Sequence, residues 1–229
     1  IVVPADALST TFEYEAPSAA ASGTLTARLL DAPTVDDSVE LSVVATPGTA
    51  IINEVDYDQD GSDVAEFVEL HNPGATALDL DGVQLVLVNG NGSSVYRTID
   101  LSMAGGSLPP GGYLVVHADD VSVDGDALGL QFERDRDNVQ NGSPDGIAVW
   151  SSSDAVLLDA LSYEGSITSV SIDGSDVSLV EGTATGAEDL NGPLRSLVRI
   201  PNGSDTDAAD VDWTTTTCPT PGTANMRCE

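Results

Sequence analysis

Pairs of Asp-Gly or Asn-Gly recur along this chain at short intervals, and they constrain its fold more than any other feature. Asp, Asn and Gly all tolerate the positive φ angles that tight β-turns need. Such pairs start at residues 60, 81, 89, 124, 141, 145, 173, 191 and 202. Short runs rich in Val, Ile, Leu and Thr lie between them, and no long stretch has apolar residues at helical spacing. The pattern predicts an all-β fold, an antiparallel β-sandwich with long acidic loops.

Two segments differ in composition, with a boundary at Thr46-Pro47-Gly48. We predict a short β segment for residues 1–47 and the main sandwich domain for residues 48–229. The predicted strands of the first segment are 1–3, 11–14, 23–30 and 39–44. Those of the main domain are 50–55, 65–72, 83–88, 96–101, 113–117, 146–150, 156–163 and 196–200, with weaker candidates at 128–132 and 177–180.

The first segment resembles the closing strands of a bacterial immunoglobulin-like domain. Three or four strands are too few to close a two-sheet sandwich. The segment therefore adds to the sheet of the main domain, or ends a domain whose start is not given, or is completed by a strand from another subunit. The apolar start formed by Ile1, Val2 and Val3 is the candidate donor strand, although Pro4 limits how far that strand continues.

The charge of the chain is strongly negative. It has 38 acidic and 7 basic residues, a formal net charge of −31, and no Lys. Such a surface repels nucleic acids and anionic lipids, and it attracts divalent cations. It fits adaptation to a salty medium equally well, because salt screens the repulsion. The lack of Lys excludes Schiff-base and phosphate-loop lysine chemistry.

The clearest candidate cation site follows the first predicted strand of the main domain, in the sequence IINEVDYDQDGSDVAEFVEL of residues 51–70. Alternate carboxylates in a D-x-D-x-D-G run can converge on one ion when the backbone coils. The loop departs from a calcium-binding loop at its twelfth position, where Phe67 replaces the bidentate Glu. Calcium is the predicted cofactor, with a solvated acidic hairpin as the alternative. The predicted ligands are Asp56, Asp58, Asp60, Asp63, Glu66 and Glu69.

The other candidate sites have plain structural explanations. Acidic loops at residues 119–126, 135–145 and 205–212 fit solvated turns at least as well as metal sites. His71 and His117 end predicted strands, and no G-x-S-x-G turn marks a nucleophile, so we predict structural histidines and no enzyme. Trp150 and Trp213 are predicted to lie in the core, with a carbohydrate platform as the alternative.

The two cysteines, Cys218 and Cys228, are predicted to form a disulfide that pins the C-terminal tail. In so acidic a chain, such a pair indicates a secreted protein, extracellular or at the cell surface. Two Cys with no nearby His make a poor zinc site. No apolar run is long enough to cross a bilayer.

Several motifs occur in a recognisable order. They are INEVDYDQDGSDVAEFVELHNPG from residue 52, LDGV from 80, NGNGSSVYRTIDL from 89, LPPGGYLVV from 108, QNGSPDGIAVW from 140, and RIPNGSDT, DW and CPTPGTAN between residues 199 and 225. Together they resemble the lamin-tail domain of secreted bacterial proteins. The resemblance covers roughly residues 50–226. It implies an immunoglobulin-like β-sandwich that binds or scaffolds and does not catalyse, found on secreted and surface proteins, sometimes beside nuclease or phosphatase domains.

Two hypotheses of function follow. The first is a secreted structural or adhesive protein, stabilised by calcium, that self-associates through strand edges or a donor strand into a cell-surface or extracellular filament. The second is a targeting module of a larger secreted hydrolase or nuclease, binding a carbohydrate or another surface ligand. The chain ends four residues after Asn225, which we take as a true C-terminus and as support for the first hypothesis. No convergent nucleophile, base or metal-histidine set favours an independent enzyme.

Overall fold

The computed structural model describes residues 21–28, 36–43, 47–192 and 194–228. The chain divides into two compact units, residues 1–46 and 47–229, one residue before the predicted boundary. In the first unit, β1 (Ala21–Arg28) and β2 (Asp36–Val43) pair antiparallel in a sheet of two strands. The strands predicted at 1–3 and 11–14 lie outside the described residues.

The second unit contains nearly all of the described strands. In chain order they are β3 (Ile51–Asp56), β4 (Phe67–His71), β5 (Leu78–Asp79), β6 (Val83–Asn89), β7 (Ser94–Asp100), β8 (Ser107–Leu108), β9 (Tyr113–His117), β10 (Leu128–Gln131), β11 (Asp145–Ser151), β12 (Val156–Tyr163), β13 (Val170–Ile172), β14 (Ser175–Val177), β15 (Ser196–Arg199) and β16 (Trp213–Thr216). A 3-10 helix spans Leu101–Ala104, and α1 spans Ala209–Asp212. In the described ranges, no helix is long and apolar enough to cross a membrane.

Two larger sheets form the sandwich. One has the strand order β10-β9-β4-β3-β15-β16, and the other has the order β12-β11-β6-β7. Neighbouring strands are antiparallel except β10, which runs parallel to β9. All eight firmly predicted strands of the main domain are present, and the sandwich is confirmed. The sheets of β5 with β8 and of β13 with β14 are two-stranded additions.

The two central strands of the four-stranded sheet, β6 and β11, are buried on both faces, which explains their near-continuous apolar sequences. Along β6, Leu85 and Leu87 face the core between the two large sheets, while Val86 and Val88 belong to a second apolar cluster. Strand β11 alternates in the same way, and its Trp150 lies in that second cluster. Period-two alternation thus places successive side chains in different cores. The prediction that Trp150 is a core residue is confirmed at 1% exposure.

The turn pairs have the expected geometry in one clear hairpin. Asp173 and Gly174 join β13 to β14 with φ angles of 48° and 84°, the positive values that a two-residue type I′ turn requires. One predicted turn is wrong. Asp145 and Gly146 begin β11, where a Cβ on Gly146 would come within 2.8 Å of Leu179 Cδ1. Glycine is needed there for close packing.

Candidate functional site

The acidic loop after β3 is closed by its own hydrogen bonds. Asp56 is buried and accepts a hydrogen bond from Gln59 Nε2, while Gln59 Oε1 accepts one from the backbone N–H of Ala65 (3.1 Å). The N–H of Gln59 donates to Asp63 Oδ1 (3.0 Å). Asp60 is exposed at the tip of the loop. Four of the six predicted ligands, Asp56, Asp58, Asp60 and Asp63, lie at the start of this loop or within it.

Glu66 faces a different part of the domain. It is fully buried, and its carboxylate accepts hydrogen bonds from the backbone N–H groups of Asn138 and Val139, each with a shortest distance of 2.7 Å. Burial raises the pKa of Glu66 to about 7, and these amides oppose the shift. Glu66 thus holds the segment before β11 against β4.

Glu69 and Glu54 lie beside each other on β4 and β3, under the C-terminal segment. Glu69 accepts hydrogen bonds from Gly222 N (2.7 Å) and Asn53 Nδ2 (2.8 Å). Glu54 accepts from Thr220 N (3.0 Å) and Thr220 Oγ1 (2.8 Å). Burial raises the pKa of Glu69 to about 8 and also raises that of Glu54. Both carboxylates hold the tail of the chain against the six-stranded sheet.

The six predicted calcium ligands are therefore divided among three places. Within the described residues, acidic oxygens from three residues lie within 4.8 Å of one another only at Asp159, Glu181 and Asp205. Calcium binding by the predicted set stays a prediction. The sequence pattern did not indicate that Glu66 and Glu69 are committed to distant amides.

Arg199 contacts all three carboxylates of this triad and a fourth, that of Asp212. Its Nη2 lies 3.1 Å from Asp159 Oδ1 and 3.3 Å from Glu181 Oε2, and its Nη1 lies 3.1 Å from both Asp205 Oδ1 and Asp212 Oδ2. Its Nε donates to the carbonyl of Ile52 (2.8 Å). The guanidinium is fully buried and lies 4.9 Å from the centre of the Trp213 ring.

One guanidinium cannot neutralise four carboxylates. Burial raises the pKa of Asp159, although the Arg199 charge opposes this, and burial likewise raises the pKa of Glu181. Arg199 therefore compensates only part of the acidic charge around it, and its contacts explain Asp205 and Asp212 of the acidic run at residues 205–212 as structural.

The histidines are held by the backbone. His71 Nδ1 lies 3.1 Å from the carbonyl of Gly112, and its ring stacks on Tyr113 with centres 4.5 Å apart. His117 Nδ1 lies 2.9 Å from the carbonyl of Ala118. Trp213 is 5% exposed, so neither tryptophan presents a ring face to solvent as a carbohydrate platform would.

The sequence model of the lamin tail domain family matches residues 44–181, which is more than half of the chain. This chain belongs to the lamin tail domain family. Lamin tail domains are immunoglobulin-like and non-catalytic as a family, which agrees with the structural use of the buried acids described above. A search of curated proteins gives no significant match.

The lamin tail domain of this chain continues beyond the matched residues. Strand β15 pairs with β3 inside the six-stranded sheet, and β16 pairs with β15. The tail then lies on Glu54 and Glu69, and Asn225 Nδ2 donates to the carbonyl of Asn53 (2.8 Å). The sandwich therefore needs its C-terminal part to complete the sheet.

The predicted disulfide closes this tail, with Cys218 and Cys228 bonded across ten residues. We expect replacement of both cysteines by serine to lower the free energy of unfolding by about 2–3 kcal/mol, because the crosslink restricts the unfolded chain. Urea unfolding with and without reductant measures this. Reduction should destabilise the native protein and leave the double variant unchanged. Equal stability of the native protein and the double variant without reductant would contradict the expectation.

The buried glutamates make stability depend on pH in an unusual direction. Folded pKa values of about 7 for Glu66 and about 8 for Glu69 exceed the ordinary value of 4.5, so the native state binds protons that the unfolded state has lost. Their contribution is complete below pH 4.5 and is lost as pH rises toward 8, by about 1.4 kcal/mol per pH unit for each proton. Thermal unfolding in chelator should therefore give a lower midpoint at pH 8 than at pH 6.

A matched pair of variants separates this effect from the general negative charge. Glu69→Gln should flatten the slope between pH 6 and 8, whereas Glu133→Gln on the surface should leave it unchanged. Equal slopes in both variants would show that general repulsion causes the trend.

Proposed function

We propose that the protein is a non-catalytic extracellular structural or adhesive subunit whose copies associate by β-strand addition. The main observation behind this proposal is the sheet formed by β1 and β2, which has two strands in the described part of the first unit. A two-stranded hairpin is marginally stable in water, so it gains by pairing with a further strand. Strand addition supplies that strand through backbone hydrogen bonds and alternate apolar side chains.

The remaining parts of the proposal have separate support. The family is non-catalytic, and buried Glu66 and Asp159 are bonded to backbone amides and to Arg199. The disulfide between Cys218 and Cys228 is typical of oxidising compartments outside the cytosol. The candidate donor, Ile1, Val2 and Val3, lies outside the described residues. A head-to-tail exchange that does not close into a ring yields a filament.

Deletion of residues 1–15 should abolish assembly. We expect the full chain to form polymers visible by negative-stain electron microscopy, and the deletion variant to remain monomeric by light scattering. A sharper comparison replaces Ile1, Val2 and Val3 by Asp, with Ser at positions 5–7 as the control. Polymers that survive the Asp variant, or a full chain that stays monomeric, would contradict strand addition.

A further inference from the structure

Asp189 carries a buried oxygen that no group in the described part of the chain satisfies. The residue is 1% exposed, and its Oδ1 has no hydrogen-bond partner. Its Oδ2 accepts hydrogen bonds from the backbone N–H groups of Tyr57 (2.9 Å) and Asp58 (3.1 Å), and its own N–H donates to Tyr57 Oη (2.9 Å). These bonds aim the carboxylate into the acidic loop after β3. Buried polar atoms are nearly always paired, so the unpaired oxygen points to a ligand.

A second buried carboxylate, Asp56, directly precedes Tyr57, whose backbone N–H donates to Asp189. Asp56 is 2% exposed, and its one hydrogen-bond donor is the neutral side chain of Gln59. Burial raises the pKa of Asp56 to about 8, and the Asp189 charge adds to the shift. Within the described ranges, all ion pairs involve Arg199, and none reaches Asp56 or Asp189.

We infer that Asp56 and Asp189 form a site for a divalent cation, Ca²⁺ by its chemistry, at the start of the acidic loop after β3. The donors are all hard oxygens, which suit Ca²⁺ and not metals that prefer nitrogen or sulfur. Ca²⁺ tolerates irregular geometry and completes its coordination with waters. This assignment adds Asp189, which lies far from the loop in sequence, and it excludes Glu66 and Glu69, whose oxygens are occupied by amides.

The carboxylate triad around Arg199 is the competing location, and it does not carry the same inference. Its three acids already receive hydrogen bonds from the guanidinium. A divalent ion there would face a fixed positive charge. No ion pair in the described residues places such a cation at Asp56 or Asp189. The test of the Asp56–Asp189 site is separable from strand addition, because metal binding and assembly are different readouts and each can fail without the other.

The test uses the full chain at low salt and pH 7.5, with Ca²⁺ added after removal of metal by EDTA. We expect Ca²⁺ to raise the thermal midpoint beyond the effect of NaCl at equal ionic strength, by binding the native state. Tb³⁺, which replaces Ca²⁺, should show emission sensitised by the adjacent Tyr57. Asp189→Asn keeps the shape and one acceptor oxygen, and it should weaken binding about tenfold or more. Asp60→Asn makes the same charge change at the exposed tip of the acidic loop and should bind like the native protein.

Three outcomes would overturn the assignment. If Ca²⁺ does not change the thermal midpoint of the native protein, the site is excluded. If Asp189→Asn and Asp60→Asn weaken Ca²⁺ binding equally, the ion is attracted diffusely to an acidic surface. A gain of stability for Asp189→Asn in EDTA, with no Ca²⁺ effect on the native protein, means that the two carboxyl groups share a proton instead. Should Asp189→Asn fail to fold, Asp56→Asn takes its place with the same expected loss.

Discussion

Replacement of Arg199 by methionine should lower the free energy of unfolding by about 3–5 kcal/mol, because buried carboxylates lose the cation that compensates their charge. Four carboxylates would remain around the vacated position, and the carbonyl of Ile52 would lose its donor. Methionine fills similar space, so lost packing contributes little. Urea unfolding at pH 7 measures the loss.

The pH dependence of the Arg199→Met variant identifies the cause. Burial already raises the pKa values of Asp159 and Glu181, so both can take up protons once the guanidinium is gone. The loss should therefore shrink at pH 5. Arg199→Lys keeps the charge but not the planar fork of donors, and it should be intermediate. Arg136→Met on the surface should change stability by less than about 0.5 kcal/mol. A loss that is equal at both pH values would contradict the electrostatic explanation.

Replacement of Glu66 by alanine should lower the free energy of unfolding by about 2–5 kcal/mol. The change leaves the amides of Asn138 and Val139 buried without an acceptor, and each unpaired buried donor costs about 1–3 kcal/mol. Denaturant unfolding of the full chain measures the effect, with Glu133→Ala as the exposed control.

Glu66→Gln refines this comparison. Glutamine retains one acceptor oxygen but presents an NH₂ group to the second amide, so it should recover only part of the lost stability. Equal stability of Glu66→Ala and the native protein would show that solvent reaches Asn138 and Val139, contrary to the burial observed here.

The sequence predicts the strands well because local chemistry decides them. Asp173-Gly174 supplies the positive φ angles of a tight hairpin, and the alternation in β6 matches the two cores that this strand separates. Strand β16 was not predicted, because after Trp213 it consists of Thr residues without an apolar alternation. Its place at the edge of the sheet comes from pairing with β15.

The site was harder to predict, because acidic residues of the same appearance have different partners. Asp56 and Glu66 lie ten residues apart in one acidic stretch, yet Glu66 accepts hydrogen bonds from the backbone N–H groups of residues 138 and 139. Asp189 follows no motif, and only its hydrogen bonds to residues 57 and 58 place it at the loop. Burial and long-range pairing decide the role of each carboxylate, and neither is visible in residue order.

Amide hydrogen exchange of the full chain tests the central claim most directly, namely that buried carboxylates hold irregular segments onto the sandwich. The amides of Asn138, Val139, Thr220 and Gly222 lie outside strands and donate to Glu66, Glu54 and Glu69. We predict opening free energies close to those of the central strands, because these bonds break only when the domain unfolds. Exchange of these four amides at the rate of exposed loops would contradict the account.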